Sequence, residues 1–138
     1  MEHLIVFVSN HPVLVTSFVV LLLLLLFTES RKAGKTVTTQ QATQLINQQQ
    51  AKVVDVRERK EFSEGHIVDA INIPLNKLTE HMSELEKFKD TPIIIVDNMG
   101  QHASSAGKAL SKAGYTHVVR LQGGISGWRG ENLPLVKS

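Results

Sequence analysis

The sequence predicts an α/β domain in which a parallel sheet is flanked by helices on both faces, preceded by one transmembrane helix. Three observations lead to the architecture. Short runs such as Val53-Val54-Asp55-Val56 and Ile93-Ile94-Ile95-Val96 are apolar at successive positions, as strands covered on both faces are. These runs alternate with segments whose apolar residues recur at helical spacing. Ahead of them, Leu4 to Phe27 contains no Asp, Glu, Lys or Arg.

The chain has 138 residues, enough for one small domain with one core. It contains no cysteine, which rules out disulfides, thiolate metal sites and any cysteine nucleophile. The net charge of +2 is unevenly spread. Residues 1–30 hold Glu2 and Glu29 and no cation, then Arg31, Lys32 and Lys35 follow closely. From residue 36 onward there are 12 basic and 11 acidic residues. No basic face of the kind that nucleic-acid binding needs is evident.

Residues 1–29 read as a membrane anchor with its span at about 4–27. The run Leu4 to Phe27 is 24 residues and ends in six leucines, Leu21 to Leu26, before Phe27. As a helix it reaches ~36 Å, enough for a hydrocarbon core of ~30 Å. Pro12 suits the first turn of the main helix, leaving the residues before it at the interface or in a kinked turn. A cleaved signal peptide would need a basic start and a small-residue cleavage site, and neither is clear. A buried core helix is disfavoured because the leucine run is apolar on every face. Lys and Arg lie only on the carboxyl side of the span. The positive-inside rule therefore puts the start outside and the following domain in the cytoplasm, in a single-pass plasma (inner) membrane arrangement.

Ser30 to Lys35, with Gly34, reads as a basic linker (residues 30–35), and residues 36–138 as the domain. Thr38-Thr39-Gln40-Gln41 has the form of a capping box, followed by Ala42, Leu45 and Ile46 at helical spacing. Val53 to Arg57 is a strand ending in charge, Glu58 to Phe62 a short helix, and Gly65-His66-Ile67 a turn. Ala70 to Ile73 is a second strand closed by Pro74. Leu78, Met82, Leu85 and Phe88 mark an amphipathic helix. Pro92 opens the strand Ile93 to Val96. Ala106, Leu110 and Ala113 mark a helix stopped by Gly114. His117 to Leu121 is the last strand, and Ile125 to Trp128 begins a final helix after Gly123-Gly124.

In this order the segments resemble a single rhodanese domain covering roughly Thr36 to Leu135. Four stretches carry the likeness. The first is Val53-Val54-Asp55-Val56-Arg57. The second joins Glu61-Phe62, Gly65-His66-Ile67 and Ala70-Ile71-Asn72-Ile73-Pro74. The third runs from Ile93 to Leu110, and the fourth is Leu121-Gln122-Gly123-Gly124-Ile125 with Trp128. A span followed by one such domain also resembles small bacterial membrane-anchored rhodanese-like proteins. The resemblance implies a loop after the central strand whose backbone N–H groups, with a helix N-terminus, stabilise a cysteine persulfide. The family pattern there is Cys-x-x-Gly-x-Arg followed by Ser or Thr. This chain has Asp97-Asn98-Met99-Gly100-Gln101-His102-Ala103 instead. Asp97 stands where the catalytic cysteine would be and cannot hold sulfane sulfur, so no catalytic residue is expected. The phosphatase relatives of the fold are excluded for the same reason.

Asp97 is open to two readings: a general base or nucleophile of another kind, or a carboxylate filling the cradle vacated by a thiolate. The second is favoured. His102 is read as solvated, with anion binding as the alternative. His66 is expected to pack and hydrogen-bond, and Ser104 and Ser105 to cap a helix. Asp55, Arg57, Glu61 and Glu64 are expected to form ion pairs tying the strand to the next helix. Trp128 is assigned to the core rather than to a partner surface. The six histidines show no metal-ligand spacing, and neither a metal nor a cofactor is expected. The functional expectation is a catalytically inactive domain that binds a membrane or membrane-associated protein. The alternative is an enzyme related to sulfurtransferases, or one binding a small anion at the Asp97–Ala103 loop.

Overall fold

The computed structural model describes residues 2–32 and 34–138. It divides into two compact units, Met1–Arg31 and Lys32–Ser138. The boundary falls inside the stretch read as a linker. That stretch is mostly regular structure: a helix continues through Lys32 and a strand opens at Lys35.

The first unit holds α1 (Glu2–Asn10) and α2 (Pro12–Lys32). The single span expected over 4–27 is broken. Among the described residues no single helix is long and apolar enough to cross a membrane. The pair Glu2–Asn10 and Pro12–Thr28 passes by length and composition, with a bend of 96° between its members. Pro12 explains the break, because it lacks an N–H and its ring crowds the preceding turn. Within α2 each hydroxyl between Pro12 and Thr28 is turned back on the helix. Thr16 Oγ1 donates to the Pro12 carbonyl at 2.7 Å and Ser17 Oγ to that of Val13 at 2.9 Å. Thr28 Oγ1 donates to Leu24.

The second unit is a five-stranded, all-parallel sheet. Its strands are β1 (Lys35–Val37), β2 (Lys52–Asp55), β3 (Ile71–Asn72), β4 (Ile93–Val96) and β5 (Val118–Leu121), in spatial order β1-β5-β4-β2-β3. Its helices are α3 (Thr39–Gln49), α4 (Arg59–Glu64), α5 (Ala103–Lys112) and α6 (Gly124–Gly130). β4 is central and wholly buried. Ile93 and Ile95 face a core with Val54, Leu85 and Leu110. Ile94 and Val96 face a second core with Val53, Ile125 and Trp128. The alternation of side chains along a strand delivers consecutive isoleucines to opposite layers.

Local chemistry sets the element ends. Thr38 accepts from the Gln41 N–H at 3.2 Å and its own N–H donates to Gln41 Oε1 at 2.9 Å, closing the capping box of α3. The helix expected around Leu78 to Phe88 is different in kind. Leu75–Lys77 and Met82–Phe88 are 3-10 segments. Met82, Leu85 and Phe88 are three residues apart, the period of a 3-10 helix, so one line of side chains reaches the core in that geometry.

Candidate functional site

The chain leaves β2 toward β3 on one side and leaves β4 toward β5 on the other. Between the carboxyl ends of β2 and β4 the connections diverge, and open α/β sheets form their ligand crevice at such a point. An open cleft of about 480 Å³ lies there, with Val56, Glu58, Glu61, Leu75, Asp97 and His102 among its lining residues.

Asp97 follows the last residue of β4 and is 2% exposed. The next residues curl around its carboxylate. Oδ1 accepts the Gly100 N–H at 2.6 Å, and Oδ2 accepts those of His102 at 2.6 Å and Ala103 at 3.0 Å. The expected cup therefore forms, and its own aspartate fills it. The last two donors sit at the start of α5, so Asp97 caps that helix. Ser104 and Ser105 do not: the N-cap position is His102, which makes no side-chain cap bond.

Two glycines permit the cup. Gly100 has φ +93°, a left-handed conformation that few side chains adopt. Gly124 has φ +56°, and a Cβ there would lie 2.4 Å from the Asp97 carbonyl oxygen and 2.7 Å from its Oδ1. Only a residue without a side chain lets α6 approach this closely. The Ile125 N–H donates to the Asp97 carbonyl at 2.8 Å and that of Ser126 to Asn98 at 2.9 Å. Gly123-Gly124 thus clamps the base of the loop.

Arg57 lies two residues beyond β2, beside the cleft. Its Nη2 reaches Asp55 Oδ2 at 2.8 Å and the Gly65 carbonyl at 2.7 Å, while Nε bonds Asp55 Oδ1 at 3.0 Å. Both side chains are buried, so the guanidinium charge is already matched. Among the described residues the wider set of ion pairs expected here reduces to this pair, and Glu61 and Glu64 do not join it. His66 stacks on Phe62 with ring centroids 3.8 Å apart, and its Nδ1 lies 2.8 Å from the Phe62 carbonyl. Its backbone pairs with Val136, a packing role. Trp128 is buried and donates from Nε1 to the Pro134 carbonyl at 3.0 Å. His102 and Asn98 are exposed beside the cleft, and Met99 is 60% exposed on the loop. Among the described residues no three His, Asp or Glu side chains converge as metal ligands would.

This architecture, a parallel sheet flanked by helices, is that of the rhodanese-like fold. Residues 38–131 match the rhodanese-like domain family, and the chain belongs to that family. The uncharacterized protein YibN of Escherichia coli K12 is 41% identical over 141 residues, covering 99% of both chains. The crystal structure of a rhodanese-related protein from Thermoplasma volcanium is 30% identical with a TM-score of 0.68, covering 75% of this chain and 99% of that one. A thiosulfate sulfurtransferase from Pseudomonas aeruginosa is 29% identical with a TM-score of 0.65, covering 75% of this chain and 20% of that one.

Proposed function

We propose that this chain is a membrane-anchored rhodanese-like module that docks other proteins and transfers no sulfur. One observation carries the reading: the Asp97 carboxylate takes three backbone N–H groups of the cup for itself. A persulfide anion would need such donors, and there is no cysteine to carry one. What remains is a folded scaffold with an accessible cleft at the crevice of its sheet.

The anchor rests on composition and on the hydroxyls of α2. In hydrocarbon a free hydroxyl is costly, and bonding to the carbonyl four residues back removes the cost. The bent pair supplies the apolar length, and Arg31, Lys32 and Lys35 orient it with the domain in the cytoplasm. Fractionation tests this part: the full chain should stay in membranes washed with alkaline carbonate, and release by that wash would count against the anchor.

Docking is tested with a photo-crosslinking amino acid at Met99 of the full chain in native membranes. A discrete adduct with one protein is expected, whereas no adduct from Met99 or from any cleft position would remove the docking reading. The names of relatives favour a second reading, sulfur transfer with a thiol supplied by another protein. Sulfane sulfur passing through the purified chain when a thiol protein is added would establish it.

A further inference from the structure

The docking reading leaves open what the cleft recognises, and its lining points away from the anions that an empty donor cup would attract. The Gly100, His102 and Ala103 N–H groups are spent on Asp97. The Arg57 guanidinium lies against Asp55, with Nη2 also bonded to Gly65. The acceptors are not spent. Glu58 is exposed at the N-cap of α4 and makes no side-chain cap bond. Glu61 follows one turn later and is half-buried. Among the described residues neither carboxylate has a hydrogen bond or ion-pair partner. The rest of the lining is apolar at Val56 and Leu75 and polar or basic at Arg57, Asn76, Asn98 and His102. Met99 leaves a further apolar side chain exposed on the same loop.

Resting on that docking reading, we propose that the cleft takes a basic side chain, arginine or lysine, from a partner protein. Such a residue matches both parts of the lining. Its methylene stem lies along Val56 and Leu75, and its charge sits beside Glu58 and Glu61. A cleft of about 480 Å³ accommodates one long side chain and its flanking backbone. The substitution that ends anion chemistry at this crevice thereby reverses the charge of what it receives.

The test uses the full chain in nanodiscs of zwitterionic lipid, which do not attract basic peptides. Two probes are titrated at low ionic strength: a short alanine peptide bearing one arginine, and the same peptide with citrulline. The arginine peptide is expected to bind saturably and the citrulline peptide at least about tenfold more weakly. Glu58→Gln with Glu61→Gln should weaken arginine-peptide binding by a similar about tenfold factor, with an unchanged melting temperature as evidence of folding. Equal binding of both peptides, no binding of either, or binding indifferent to the double substitution would overturn the proposal. So would saturable thiosulfate binding that displaces the arginine peptide. A crosslinked partner captured from Met99 while the arginine peptide fails would sink this assignment alone and leave the docking reading standing.

Discussion

Replacing Asp97 by alanine removes the group on which the loop is built. Three N–H donors lose their acceptor: Gly100 is half-buried, His102 is exposed beside the cleft, and Ala103 is fully buried. An unsatisfied buried donor costs about 1–3 kcal/mol. Access of water to the first two keeps them near the lower end, at about 1 kcal/mol each, and Ala103 contributes about 2 kcal/mol. The sum is about 4 kcal/mol, reduced to about 3 kcal/mol because a buried carboxylate no longer has to be desolvated. For a domain of this size that corresponds to a fall in Tm of roughly 10–20 °C. Asp97→Asn retains the shape and one acceptor, and should lose about half as much. Trp128, the single tryptophan, lies buried in the core behind β4. Its fluorescence reports unfolding of the full chain in detergent. A Tm for Asp97→Ala within about 2 °C of the parent would mean that the carboxylate does not hold the loop, and would refute the reasoning.

Gly124→Ala should be at least as damaging. The added Cβ meets the Asp97 backbone at 2.4 Å in a left-handed conformation, so a loss of about 3 kcal/mol or more is expected in the same melt. Arg57→Leu leaves the Asp55 carboxylate buried without its partner and should cost about 3–5 kcal/mol, with Asp55→Asn in the same chain recovering part of the loss. Burial, and secondarily the Glu86 charge, pushes the Tyr115 hydroxyl above its ordinary value of 10.0. Its contribution to stability is therefore fully present below pH 10 and is lost as pH rises through the raised folded value. A Tyr115→Phe chain should lack that component of alkaline unfolding.

Much of the scaffold was legible because local chemistry agreed with tertiary context. Ile93 to Val96 could only be a strand covered on both faces, and Thr38 with Gln41 capped α3 as their spacing demanded. β1 carries no signature in the sequence because Lys35-Thr36-Val37 is short and mostly exposed, and only pairing with β5 makes it a strand. The 3-10 geometry at Met82–Phe88 escaped because spacings of three and four fit an α-helix equally well. At the site, the absent thiol and the position of Asp97 were plain from the sequence. The clamp of Gly124 on Asp97 was not, since it joins residues distant in the chain through a backbone approach that composition does not encode. Nor did the sequence reveal that Asp97 would cap α5 in place of Ser104 or Ser105.

Sulfur loading compared between the native chain and Asp97→Cys tests the central claim most directly. Both are incubated with thiosulfate, then read by intact mass and by thiocyanate release on adding cyanide. The account predicts that the native chain gains no sulfur and releases no thiocyanate, whereas Asp97→Cys, with the three N–H donors freed to face a sulfur anion, gains one sulfur atom at residue 97. Thiocyanate turnover by the native chain would contradict the account.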